Sequence, residues 1–361
     1  MRYATSKRAL VVFAVLALSL LTVQSADSAT IVIINNDGAG EGFNDPTVVA
    51  PVGGNPGTTL GAQRLNAFTY AANLWGACLV SSVTIEVEAQ MDPQFCSPTS
   101  AVLGSAGTTF IHRDFTGAPQ AATWYPQALA NALAASDLNP GTAEISATFN
   151  SNLNGSSSCL GGIGWYYGYD QTPGGDIDFV AVVFHEIGHG LGFQSFMSST
   201  GVLLAGFNDI YERNLEHHFA TPADYPSMSD AQRAAGNIGD PNLHWTGSVV
   251  TTLAPSELSG GIANGHVRMY GPNPYEGGSS VSHWSTVASP NLVMEPSYTG
   301  PNHDPTMELA LFEDIGWTLI PKVDPDPVPA TSNWGLIALL LLVLATGAYM
   351  LFRRSRALSK V

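Results

Sequence analysis

Between Thr30 and Leu319 the chain has no lysine and only five arginines: Arg64, Arg113, Arg213, Arg233 and Arg268. Against them stand 26 aspartates and glutamates, a net charge near −21 with the histidines neutral. Nucleic acid and anionic lipid are held by clustered Lys and Arg, so this stretch is expected to bind neither through charge. Cysteine is scarce too, with Cys78, Cys96 and Cys159 only, and none sits in a nucleophile-like setting. No internal repeat is present. What remains is ample for a sizeable core and one or two domains, since 45% of 361 residues are hydrophobic.

The two ends differ from the body. Arg2, Lys7 and Arg8 precede an apolar stretch from Ala9 to Val23, and small residues (Ser25, Ala26, Ser28, Ala29) follow. This is the pattern of a secretory signal over 1–29, cleaved between Ser25 and Thr30 and too short for a span. In an exported chain at least one disulfide is expected, leaving one thiol over; Cys96–Cys159 is the favoured pair. At the other end a Pro-rich linker occupies 320–333. The 19 apolar residues Trp334 to Phe352 then precede Arg353, Arg354, Arg356 and Lys360. Their length suits a bilayer, and the basic flank predicts a cytoplasmic C-terminus. Val-Pro-Ala-Thr-Ser-Asn-Trp-Gly335 with this run and its arginines resembles the C-terminal sorting tails of Gram-negative exported proteins. The resemblance implies that the tail over 334–361 engages the membrane or a sorting machinery, and that the body is extracellular or on the cell surface.

Periodicity gives a coarse order of elements. Strands are expected at Thr30–Asn36, Val83–Met91 and Ala143–Asn150, and helices over Leu60–Leu79 and Tyr125–Leu138. Asp37 to Gly57 reads as a loop, in which Asp37, Glu41 and Asp45 offer a weak Ca²⁺ site. Downstream, short helices are expected at Asn208–His218 and Ser229–Ala235, and strands at Ser248–Leu253 and Gly265–Tyr270. The fold class is therefore α+β, a mixed sheet backed by helices.

The chemistry centres on the apolar run Phe179 to Phe193, which carries His185, Glu186 and His189. Residues four apart share one helix face, so both imidazoles can reach one metal ion. Glu186 stands beside them as a general base for metal-assisted hydrolysis. Asp178 is placed to cap this helix, and Gly190 or Gly192 to end it. A catalytic zinc needs a third protein ligand. Three residues past Gly192, where the compact zinc-peptidase pattern has a histidine, stands Ser195. Glu212, Glu216 and His266 are possible substitutes; His112, His217, His218, His244 and His303 read as surface residues.

Further on lie Val281-Ser-His-Trp-Ser285 and Pro290-Asn-Leu-Val-Met-Glu-Pro296, with His283 and Met294 eleven apart. Together with His185 through Gly192 they resemble the leishmanolysin-like metzincins, in which an insertion separates the glycine from the third histidine. Val293 departs from the leucine of the family pattern. The resemblance implies a twisted mixed sheet, His283 as third zinc ligand and Met294 as a structural turn beneath the metal. It also implies one catalytic Zn²⁺. Tyr298, four past Met294, is given no metal role. The implied division is a catalytic subdomain over 30–192, an insertion over 193–282 and a C-terminal subdomain over 283–319. The expected activity is that of an exported zinc endopeptidase acting on peptide or protein, with an edge strand at 144–150 receiving the substrate. The alternatives are a non-catalytic surface or adhesion protein stabilised by zinc, and a zinc hydrolase acting on other bonds.

Overall fold

A computed structural model describes residues 28–321; most of the expected signal segment, the linker beyond Pro321 and the apolar tail lie outside the described residues. Alternation in Ile85–Asp92 (β2) buries Ile85, Val87, Ala89 and Met91 and turns Glu86, Glu88 and Gln90 to the other face, as a strand covered on one side requires. It runs parallel to Ile31–Asn35 (β1) and to Ile145–Asn150 (β4). Gly104–Thr108 (β3) pairs antiparallel with β4 and completes the order β1-β2-β4-β3. The expected edge at 144–150 is therefore an inner strand, and β1 and β3 are the edges. Gly-Ser-Ala-Gly-Thr carries almost no strand propensity, so β3 exists because β4 offers it a free row of hydrogen bonds.

Leu60–Gly76 (α1) begins at Thr59, whose Oγ1 accepts the Ala62 N–H at 3.2 Å. It buries Phe68, Ala71, Ala72 and Trp75 against the sheet and against the later helix Phe179–Leu191 (α3). The helix between them is shorter than expected, Gln127–Ala134 (α2). Tyr125 and Pro126 pair instead with Ile111 and His112, and left-handed Ala135 (φ 49°) stops the helix.

Beyond α3 two expectations are corrected. Asn208–His218 is not a helix: one 3₁₀ turn at Glu212–Asn214 leads into the strand Leu215–His217 (β5). Pairing of β5 with Leu243–Trp245 (β6) captures those residues. Ser248–Leu253, expected as a strand, belongs to the helix Ser248–Glu257 (α5), which follows Asp230–Gly236 (α4). Its β-branched residues lower helix propensity, but Asp314 caps the first turn from a distance, accepting the N–H groups of Val249 (2.8 Å) and Val250 (3.2 Å). Asp314 lies in the last helix, Thr306–Ile315 (α6). Ile262–Ala263 (β7) and His266–Arg268 (β8) complete a second, antiparallel sheet in the order β7-β8-β6-β5. With six helices among the described residues and several sheets, the protein is α+β.

Candidate metal centre

Helix α3 is held at both ends and along its back. Asp178 Oδ1 accepts the Ala181 N–H at 3.1 Å and caps the start, while the Asp178 N–H donates to Tyr298 Oη. The Trp75 indole donates to the Phe184 carbonyl at 2.8 Å, and the Trp317 indole to that of Leu191 at 2.9 Å. Gly192, at φ 129°, ends the helix and lets the Phe193 N–H turn back to the Gly188 carbonyl at 3.0 Å. So fixed, the helix presents His185 and His189 one turn apart.

The third imidazole arrives from the far side of the sequence. Nε2 of His283 lies 3.2 Å from Nε2 of both His185 and His189, and these two are 3.1 Å apart. Each ring uses its other nitrogen on a backbone carbonyl. His185 Nδ1 donates to Val293 O (2.7 Å), His189 Nδ1 to Phe193 O (2.7 Å) and His283 Nδ1 to Ser279 O (2.8 Å). A carbonyl can only accept, so each neutral ring carries its proton on Nδ1 and a bare lone pair on Nε2. Burial holds all three rings below the usual histidine range, His189 at about 3, and for His189 and His283 neighbouring imidazoles add to the effect. Three buried lone pairs facing one another repel unless a cation lies among them. The group is sized to hold a metal ion.

Glu186 is 7% exposed and faces the edge strand β3. Burial pushes its carboxyl up to about 8, and the Ala106 backbone N–H pulls it partly back. Met294 is wholly buried. It packs so closely on α3 that a Cβ on Gly188 would stand 2.7 Å from its sulfur. Its segment is tied to that of His283 by the Trp284 N–H donating to the Met294 carbonyl at 2.8 Å. Glu308 on α6 joins the two again, with Oε1 accepting both the Trp284 indole N–H and the Met294 N–H at 3.0 Å.

All five residues expected at the site, His185, Glu186, His189, His283 and Met294, thus come from two segments that meet on α3. The rival ligands lie elsewhere. Glu212 accepts from Ser195 Oγ at 2.9 Å and from the Asp209 N–H, Glu216 is engaged by His218 and His244, and His266 Nδ1 meets Thr251 Oγ1. The acidic loop gathers no cation site among the described residues. Asp37 instead accepts the N–H groups of Phe43 and Met91, Glu41 that of Gly38, and Asp45 that of Thr47. Cys96 and Cys159 form the favoured disulfide. Two residues escaped sequence reasoning. Glu308 has no motif around it, and Ala106 lies in a segment without strand character. Comparison with protein-family models, curated proteins and solved structures finds no match to this chain.

Proposed function

We propose that the chain is an exported, metzincin-like zinc endopeptidase. The observation that carries this reading is the convergence of three Nδ1-protonated imidazoles beside a buried carboxylate. Zinc bonds of about 2.0–2.1 Å in a tetrahedral site space their nitrogens about 3.3–3.4 Å apart, close to the 3.1–3.2 Å separations here. His185, His189 and His283 would hold the ion, and three protein ligands leave a position open, as catalytic rather than structural sites do. A zinc ion held there would supply Lewis acidity toward a carbonyl and lower the pKa of water.

The chain's own residues supply the rest. Glu186 takes the proton of the attacking water and passes it to the leaving amine. Its raised affinity for protons suits the second task, and the ion's positive charge suits the first by drawing the carboxyl back down. Among the described residues strand β3 pairs on one side only, so its outer edge could add an extended peptide as a further strand beside Glu186. Met294 and Gly188 form the floor and take no part in proton transfer.

Cleavage of a peptide library by the full chain, with zinc content measured alongside, tests this reading. Glu186→Ala should keep its zinc and lose cleavage by about 10²–10⁴-fold or more. Undiminished turnover would remove Glu186 as the base. A folded, zinc-loaded protein that cuts no peptide would favour the non-catalytic surface protein.

A further inference from the structure

A second cluster of histidines stands in the sheet formed by β5, β6, β7 and β8, and shares no residue with the first. Glu216 on β5 lies directly opposite His244 on β6. His218, two residues after Glu216, falls on the same side of the extended chain. His266 on β8 falls there too, since His244 is opposite Arg268 and alternate residues share a face. Glu216 Oε1 is the focus of the group, 3.0 Å from His218 Nδ1 and 3.2 Å from His244 Nδ1.

The proton on His244 is the telling detail. Its Nε2 lies 3.1 Å from the Pro241 carbonyl oxygen, which can only accept. A neutral ring would therefore aim a bare Nδ1 lone pair at a carboxylate oxygen, so the contact needs either a second ring proton or a shared cation. His244 is fully buried, where an uncompensated repulsion of this kind is costly. One oxygen and two nitrogens, all within 4.8 Å of one another, have the spacing of ligands around a single cation. Two imidazoles and a carboxylate select a zinc-like transition ion over Ca²⁺ or Mg²⁺, which take oxygen ligands.

We propose that Glu216, His218 and His244 form a second metal site for a zinc-class divalent ion, with His266 beside it on the same face. The side chain of His218 is 31% exposed and gives the ion a way in. The site would clip β5 to β6, reinforcing the bond from the His218 N–H to the Asn242 carbonyl at 2.9 Å. This sheet is also the platform for the first centre. The Tyr270 N–H donates to the His283 carbonyl at 2.9 Å, and the Ser285 N–H to that of Arg268 at 3.0 Å. An ion in the second site therefore steadies the segment that carries His283, whether or not the first centre is catalytic.

Zinc stoichiometry of the full chain decides the matter. The protein would be stripped with chelator, reloaded with Zn²⁺ alone, gel-filtered and read by elemental analysis and native mass spectrometry. Wild type should carry two ions, His218→Ala one, His189→Ala one, and the double variant none. Glu216→Gln repeats the His218→Ala measurement, and matched circular dichroism in chelator confirms that both variants are folded. Chelator should lower the melting temperature of wild type more than that of folded His218→Ala. A wild type with one zinc, lost in His189→Ala and kept in His218→Ala, would overturn the second site and leave a histidinium–carboxylate pair in its place. Two ions retained in His218→Ala would overturn it as well, and no zinc in wild type would end both sites.

Discussion

At the scale of single residues, the first centre is organised by what lies behind its three histidines. The carbonyl of Val293, next to Met294, accepts from His185, so this turn also fixes the tautomer of the first histidine. Glu308 holds that turn from the other side. It is fully buried, its Oε2 has no hydrogen-bond partner among the described residues, and burial pushes its carboxyl from 4.5 up to about 7, against the pull of the N–H groups that it accepts. The folded state thus binds this proton more tightly than the unfolded chain. The carboxyl's contribution to stability is present in full below about pH 4.5 and is lost as pH rises through about 7. A shift of this size corresponds to about 3 kcal/mol. Glu308→Gln keeps an acceptor for Trp284 and Met294 and removes the titration. Guanidinium unfolding at pH 5, 6, 7 and 8 in chelator should show the wild-type stability falling relative to Glu308→Gln across this range, then levelling. A constant difference would mean that Glu308 is not protonated in the fold.

At the scale of elements, what could be read from the sequence follows the range over which each element is determined. Helices α1 and α4 carry their own caps, Thr59 and the reciprocal Ser229–Gln232 pair, and strands β1, β2 and β4 carry their own apolar patterns. All five were legible. So were His185, Glu186 and His189, because one helical turn sets their spacing. His283 was legible only through the resemblance of its flanking residues to a family. Helix α5 was misread because its capping carboxylate, Asp314, lies 65 residues away. Strand β3 was missed because its pairing partner, and not its own residues, makes it a strand. His244 was misread as a surface residue, since nothing around it announces that β5 and β8 will flank it. Strand β3 also supports the sharpest element-level prediction. Proline is tolerated on an edge strand when the lost N–H points away from the ladder. Ala106→Pro would remove the N–H that faces Glu186 while preserving the pairing of β3 with β4. Peptide cleavage should fall about tenfold or more, the worth of one hydrogen bond, with zinc content and melting temperature little changed. Unaltered cleavage would exclude Ala106 from positioning either Glu186 or the substrate.

At the scale of the whole molecule, the Cys96–Cys159 disulfide encloses β3, α2 and β4, and with them the edge that borders the site. The three histidines of the first centre and all of the second sheet lie outside that loop. Closing a loop of 63 residues restricts the unfolded chain by about 4 kcal/mol in the chain-entropy treatment. The bond also suits the oxidising side of a membrane, as the proposed export requires. Loss of the bond should therefore act on stability and on the edge strand before it acts on the metal. The double variant Cys96→Ser, Cys159→Ser should unfold at clearly lower guanidinium concentration than wild type and still retain its zinc after gel filtration. Hydrogen exchange should quicken in residues 104–108 more than in 179–191, because β3 has one partner strand while α3 is packed against α1 and capped at both ends. A variant that lost its zinc together with its stability would show instead that the edge strand and the metal helix form a single cooperative unit. In that case the disulfide would support the metal centre itself, in addition to the edge at which substrate is proposed to bind.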